Sequence, residues 1–416
     1  MRRIICILLL GISFQSFSQL DTLKVMSYNI LNFPNMVPER IDTLKDIVQH
    51  VEPDILMVCE LNNSTGATNI LNNAMNVDGI THYEMATFVN GPGTDNEIYY
   101  NSNKLTLYEQ NEISTVLRNI SEYVLYYNSS DLATTGDTVF LYCYVAHLKA
   151  GTGWESQRLE EAEAMKDYMA TRTNAENIIL GGDFNFYSSS GEPAWNEILS
   201  GGGVSLKDPI NSPGDWNSNS GYAPIHTQST RTTSLPDNGA TGGMDSRFDF
   251  IFLGTDIMNG FNDITYIDDS YNAIGQDGYH YNKSLIEAPT NVSEPWDIIR
   301  KLYYMSDHLP IYLELEVITE AANIDEINPY YNQLFYDGVT KSIRFIDGFQ
   351  LSSAEEFVVF DLSGKQIESR LISNSTESID LGNLSSGMYV VACKALNLEK
   401  KFFVEYTITR LSTYYF

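Results

Sequence analysis

A series of apolar runs, each bordered by a carboxylate, amide or imidazole, constrains this chain more than any other feature. Asn29 follows Val25-Met26-Ser27-Tyr28, Glu60 follows Ile55-Leu56-Met57-Val58-Cys59, and His147 follows Tyr144-Val145-Ala146. Ile178-Ile179-Leu180 leads into Gly181-Gly182-Asp183-Phe184-Asn185. Arg247-Phe248-Asp249 opens onto Phe250-Ile251-Phe252-Leu253, and Ser306-Asp307-His308-Leu309-Pro310 onto Ile311-Tyr312-Leu313. Each run reads as a buried strand. A charged group at a strand end costs free energy unless a metal, an ion partner or hydrogen bonds compensate. Several such ends together point to one shared site at the edge of a sheet.

Helix signals alternate with these strands. Arg40 to His50 reads as an amphipathic helix, a second helix falls near Thr68 to Met75, and Glu155 to Thr171 carries Leu159, Ala162, Met165 and Met169 on one face. Further strands are expected between Tyr83 and Tyr127. Interleaved strands and helices predict a layered α/β arrangement with helices covering sheet faces. Residues 200–246 and 255–300, rich in small and polar residues, read as long irregular loops. Such loops inside a compact domain are commonly functional, and these two are bracketed by the suspected strand ends.

With 416 residues the chain has room for two folded units. Met1-Arg2-Arg3, the apolar stretch Ile4 to Phe14 and Ser16-Phe17-Ser18 together read as a secretory signal peptide over residues 1–18. That stretch is too short to span a bilayer, and no stable membrane insertion is expected. Cys59 and Cys143 sit in apolar runs, where free cysteine packs as a small hydrophobe; a disulfide between them is the alternative. The net charge of −29 disfavours a stoichiometric nucleic-acid binder. It does not exclude a nuclease, which needs few phosphate contacts. A monomer is expected.

After Val317 helix signals cease. Residues 319–327 read as a linker between a domain over 19–318 and a small β-sandwich over 328–416. Within that sandwich, Asp361-Leu362-Ser363-Gly364-Lys365 and Leu384-Ser385-Ser386-Gly387-Met388-Tyr389-Val390-Val391 resemble the C-terminal sorting domain of the type IX secretion system. The resemblance implies an export address that engages the type IX machinery and ends at the cell surface or outside the cell, with no catalytic role.

Taken in order, the strand-end residues of the main domain resemble the endonuclease/exonuclease/phosphatase superfamily over roughly residues 22–317. The resemblance implies a four-layer α/β sandwich, two packed mixed sheets flanked by helices, with the site at one edge. It also implies phosphoester hydrolysis by in-line attack of water, which must neutralise growing oxygen charge and manage two protons. Hard cations favour carboxylate and amide oxygens, so Glu60, with Asn29 and Asp307 near it, is the expected holder of Mg²⁺, with Mn²⁺ or Ca²⁺ as substitutes. His308 is expected as general base or phosphate contact, with Asp249 holding its tautomer. Asp183 would orient or activate the water, and Asn185 and His147 would donate to phosphate oxygens. Arg231, His280 and Asn282, on the two long loops, are candidate substrate contacts; Trp154 and Trp195 are candidates for base stacking.

Departures narrow the expectation. His147 stands where exonuclease III-type enzymes usually carry tyrosine, and Val145 where many relatives carry asparagine. Asp245-Ser246-Arg247-Phe248-Asp249 lacks the inositol-phosphatase motif. The reading is a secreted nuclease acting on nucleic acid, with a sphingomyelinase-like lipid or small-molecule phosphodiesterase, or a non-catalytic surface binding protein, as alternatives.

Overall fold

The apolar runs Val25 to Asn29 and Ile55 to Cys59 lie side by side in parallel, as do Tyr142 to His147 and Ile178 to Asp183. Each pair forms the centre of one sheet. The computed structural model describes residues 19–34, 39–129, 132, 138–172, 175–319, 333–337, 340–346, 348–361, 365–382, 384–385, 387–396 and 398–404. The expected leader over 1–18 and the expected linker beyond Thr319 lie outside the described residues.

The first sheet contains β1 (Gln19–Phe33), β2 (Ile55–Leu61), β3 (Tyr83–Met85), β4 (Asp95–Asn101), β11 (Ile264–Tyr266), β12 (Asn272–Ala273) and β13 (Ile311–Thr319). Its order is β11-β13-β1-β2-β4-β3, with β12 also on β13. The second contains β5 (Leu105–Ile113), β6 (Ile120–Tyr127), β7 (Phe140–His147), β8 (Ile178–Asp183), β9 (Leu206–Lys207) and β10 (Asp249–Gly254), in the order β5-β6-β7-β8-β10-β9. β2 and β8 are buried almost throughout, as parallel strands covered on both faces must be.

Helices complete four layers. α1 (Ile41–Val51) buries Leu44, Ile47, Val48 and Val51 at helical spacing and stops at Glu52, whose left-handed backbone returns its N–H to Val48. With α2 (Ser64–Ile70) and α6 (Trp296–Met305) it shares one core with both sheets. α3 (Glu155–Thr171) and α4 (Pro193–Ser200) cover the outer face of the second sheet over an aromatic cluster of Phe184, Phe186, Trp195, Trp216, Phe250 and Phe252. Trp195 is therefore a core residue and not a stacking platform. Cys59 and Cys143 are both free and buried, so no disulfide joins them.

Two expectations need correction. The apolar stripe on α3 buries Ala162, Met165 and Met169 as expected, yet Arg158, Glu161 and Lys166 are buried beside them. Arg158 forks onto Glu192 at 2.9 and 2.7 Å, and Lys166 Nζ donates to the carbonyls of Ile198 and Val204. Matched polar partners, and not apolarity alone, dock this helix. Residues 255–300 are not one irregular loop. They hold α5 (Thr255–Asn259), β11, β12 and the start of α6, where Ile299, Leu302 and Met305 face inward behind Pro295.

The chain divides into two compact units, Met1–Ala322 and Asn323–Phe416. The second pairs β14 (Leu334–Asp337), β15 (Ser342–Phe345) and β18 (Ile379–Asp380) in one sheet. Its other sheet contains β16 (Gln350–Asp361), β17 (Gln366–Asn374), β19 (Gly387–Cys393) and β20 (Leu398–Val404). Phe345, Phe349, Phe357, Val359, Ile372, Tyr389, Val391 and Leu398 form a core common to both sheets.

Glu97 on β4 is fully buried, with one carboxylate oxygen unpartnered. Burial first, then the charges of Glu112 and Asp95, push its pKa up to about 8. The folded chain holds this proton while the unfolded chain releases it near an ordinary pKa of about 4.3. Stability from this group is therefore complete below about 4.3 and lost as pH rises through about 8. A tenfold difference in proton affinity between the folded and unfolded chains is worth about 1.4 kcal/mol. Glu97→Gln should accordingly raise the unfolding free energy above pH 8 by several kcal/mol and change little in acid. Chemical denaturation at the two pH extremes measures this.

Candidate active site

Strand register assembles the site. β7 and β8 run parallel with His147 opposite Asp183, and β8 and β10 run antiparallel with Asp249 opposite Asp183. On the first sheet Asn29 lies opposite Cys59, which brings Glu60 one residue further along. Both strands bulge there, with register shifts between Asn29 and Phe33 and between Val58 and Leu61. Glu60 adopts φ 61° and Asn185 φ 52°, left-handed conformations that turn each side chain out of its run. Arg40, buried at the start of α1, pins the bulge by donating to the carbonyls of Ile30, Leu31 and Met305. Ser306 Oγ donates to the Asn29 carbonyl at 2.7 Å and accepts from the His308 N–H, tying the Asp307-His308 segment to β1.

Asp183 is the hub. Asn29 Nδ2 donates to Asp183 Oδ2 and to Glu60 Oε1, both at 3.0 Å. His147 Nε2 lies 3.5 Å from Asp183 Oδ2 and 3.8 Å from Glu60 Oε1. His308 Nε2 is 3.7 Å from Asp183 Oδ2, and its Nδ1 meets Asp249 Oδ2 at 2.8 Å. Thr227 Oγ1 donates to the same Asp249 oxygen at 2.6 Å. Asn185 gives its backbone N–H to Asp183 Oδ1 and one amide hydrogen to the Leu148 carbonyl, leaving a second amide hydrogen for a ligand.

The electrostatics follow from burial and crowding. Burial first, then the charges of Asp249 and Glu60, raise the Asp183 pKa. Burial and the Asp307 charge raise that of Glu60. Burial, with Arg118 and His308 adding to it, drives His147 well below its ordinary value, so its imidazole is neutral at pH 7. Burial acts the same way on His308, but Asp249, Asp183 and Asp307 overcome it and hold His308 well above its ordinary value. The amide nitrogen of Gln228 sits 2.6 Å from His308 Nε2 and 3.2 Å from Asp307 Oδ2. That contact belongs to a His308 with Nε2 unprotonated; protonation at Nε2 requires Gln228 to turn its amide and present oxygen.

The structure brings together Asn29, Glu60, His147, Asp183, Asn185, Asp249, Asp307 and His308. Of the three loop candidates, Arg231 lies near Asp307, and none of the three makes a hydrogen bond to the cluster among the described residues. Arg231 is fully buried, its Nη1 2.6 Å from Asp237 Oδ2 and its guanidinium over the Tyr303 ring. His280 is fully buried between Asp277 and the carbonyls of Glu287 and Pro289. Asn282 is exposed on a left-handed turn, and no contact ties it to the cluster. Arg231 is a loop anchor because a buried cation must be paired where it lies, and His280 anchors its loop through its hydrogen bonds.

Gln228 and Thr227 are contributors that the sequence conceals. They precede Arg231 in the same segment, and nothing in composition singles out an amide three residues before an arginine. Arg118 is concealed in the same way. Its guanidinium reaches Thr94 Oγ1 at 3.2 Å and the His147 carbonyl at 3.4 Å, without an ion pair among the described residues.

The donor set fits a hard divalent cation. Ligand atoms of Glu60, His147 and Asp183 lie within 4.8 Å of one another, as do those of Asp183, Asp249 and His308. Asp307 Oδ1 is buried and unpartnered. Asn29 turns its nitrogen to the carboxylates, so ligation through its oxygen requires a half-turn of the amide that exchanges donor for acceptor.

Two packed mixed sheets with outer helices and an acidic, histidine-bearing site at one edge define a four-layer α/β protein whose clustered carboxylates and imidazoles could hold a cation. Residues 26–308 match the endonuclease/exonuclease/phosphatase family, and the chain belongs to that family. Its members are phosphoesterases that use a divalent metal. Residues 341–405 match the secretion system C-terminal sorting domain. Similar solved structures include D. rerio TDP2 with a single-strand DNA product, at 16% identity and TM-score 0.47, covering 71% of this chain and 98% of that one. An endonuclease/exonuclease/phosphatase family protein from Bacteroides thetaiotaomicron is similar at 16% and TM-score 0.44, covering 74% and 100%. The human Nocturnin catalytic domain with bound sulfate is similar at 16% and TM-score 0.43, covering 73% and 98%. No curated protein matches the chain.

Two residues of the 227–231 segment should separate cleanly on substitution. Arg231→Ala strands the buried Asp237 charge and should cost about 3–5 kcal/mol of stability, measured by denaturant titration. Gln228→Ala should leave stability nearly unchanged and lower phosphoester turnover.

Proposed function

We propose that the chain is an exported, divalent-cation-dependent phosphodiesterase and, within that class, a nuclease. The observation that carries this reading is the convergence of two imidazoles of opposite charge preference, His147 and His308, on the single carboxylate of Asp183, with Glu60 beside them. A cation, most simply Mg²⁺, would neutralise phosphate oxygens and sit against Glu60 and the free oxygen of Asp307. The remaining steps belong to the chain. Asp183, its basicity raised by burial and neighbouring charge, takes a proton from the attacking water as the new P–O bond forms. His308, oriented by Asp249 and Thr227, hydrogen-bonds a phosphate oxygen, and the leaving oxygen takes a proton from solvent water as its bond to phosphorus breaks. His147, the second amide hydrogen of Asn185 and Arg118 are further donors in reach of the same space.

The net charge of −29 favours a second reading, a lipid or small phosphodiester that meets no long-range repulsion. One panel decides. Hydrolysis of bis-p-nitrophenyl phosphate should need Mg²⁺ or Mn²⁺, vanish with EDTA, and fall roughly 10²- to 10⁴-fold in His308→Ala. Unchanged turnover in Glu60→Ala and His308→Ala would refute the assignment. Cleavage of DNA or RNA supports the nuclease, and cleavage of sphingomyelin alone supports the second reading.

The sorting domain marks the chain for type IX export to the surface or medium. The N-terminal leader would deliver it first across the inner membrane. Every residue of the site lies before Leu309, so a chain ending near Thr319 should keep its melting temperature and turnover yet accumulate in the periplasm of its host. A fall of many degrees, or normal secretion, would show that the second unit is not a detachable address.

A further inference from the structure

The loop that leaves β7 behind His147 is held far more firmly than its exposure requires. Leu148 donates its N–H to the Asp183 carbonyl at 2.9 Å, and its own carbonyl accepts from Asn185. Glu161 accepts the Lys149 N–H at 2.9 Å, and Arg158 Nη1 donates to the carbonyls of Lys149 and Gly151, each at 2.8 Å. These are the buried charges of α3 that contradict a simple apolar stripe, and Arg158 is itself fixed by Glu192. Gly151, at φ 97°, lies against the edge of the Trp154 indole. The loop ends on Trp154, 49% exposed, with the Lys149 ammonium 4.7 Å from its ring centre.

A buried ion network is thus used to fix an exposed aromatic and a cation in the segment that starts at the site floor. We infer that Trp154 and Lys149 form a stacking platform for a nucleobase flanking the scissile phosphate, and that the preferred substrate is an unpaired strand. This rests on the nuclease reading. A chain of net charge −29 gains little from long-range attraction to a polyanion, so affinity must come from local contacts. Base–aromatic stacking is such a contact, it tolerates any sequence, and it requires a base whose face is free. Lys149 sits over the ring, and the indole stays half exposed for a base.

The test uses the full chain. In EDTA, where no turnover occurs, titration with an eight-nucleotide oligothymidylate should quench intrinsic fluorescence in the wild type and in Trp296→Phe but not in Trp154→Ala. With Mg²⁺, Trp154→Ala should raise KM for that oligomer roughly 5- to 150-fold, leave kcat and methyl p-nitrophenyl phosphate turnover nearly unchanged, and be rescued by Trp154→Tyr. Duplex of the same sequence should show the higher KM already in the wild type. Quenching that persists in Trp154→Ala, or an unchanged KM, overturns the platform while the nuclease stands. Turnover of the small diester with no cleavage of any strand overturns both.

Discussion

Like charges buried together at the ends of strands are the constraint on which this structure depends. Glu60, Asp183, Asp249 and Asp307 converge where the two sheets meet, and each is held by donors supplied from a different element. Asn29 bridges two of the carboxylates, Thr227 and His308 share the third, and Gln228 with the Ala240 N–H holds the fourth. None of these donors is local in sequence to its acceptor. The arrangement therefore forms only when both sheets are complete and packed, which makes the site a readout of the whole fold.

The bulges and left-handed residues at the site follow from the same constraint. A regular strand would carry Glu60 on into the ladder; the register shifts of β1 and β2 let it turn back towards Asn29. Arg40 then satisfies the carbonyls of Ile30 and Leu31 from the N-cap of a helix whose inner face, Leu44, Ile47, Val48 and Val51, packs in the core. Local irregularity at a functional site is stabilised by a partner that elsewhere would be an ordinary helix residue.

Strand-end chemistry is the part of this molecule that is legible in its sequence. A buried run that stops on a charge is unusual enough to be seen without any neighbour, so the eight polar positions from Asn29 to His308 are all in view, as is the layering that brings them together. The loops are not legible. Arg231 reads as a substrate contact because a cation in a polar segment normally faces water, but here Asp237 and the Tyr303 ring take it inside. His280 misleads for the same reason. α6 is hidden because its apolar spacing begins in a segment dense in prolines, asparagines and serines. Gln228 leaves no trace in the sequence, since its role exists only through an extended pairing with both Ser246 and His308.

The raised pKa values of Glu60 and Asp183 connect the site's construction to its chemistry. In a pocket with several carboxylates, one way to limit repulsion is to retain protons, and burial pushes both groups in that direction. A divalent cation removes the repulsion by another route, so its binding must release protons and become tighter as pH rises. His147 responds oppositely: burial and nearby positive charge already keep it neutral, and it loses nothing when a cation arrives. On the proposed reading, these carboxylates would exchange protons for the metal, while the already neutral imidazole of His147 would have no proton to give up in that exchange.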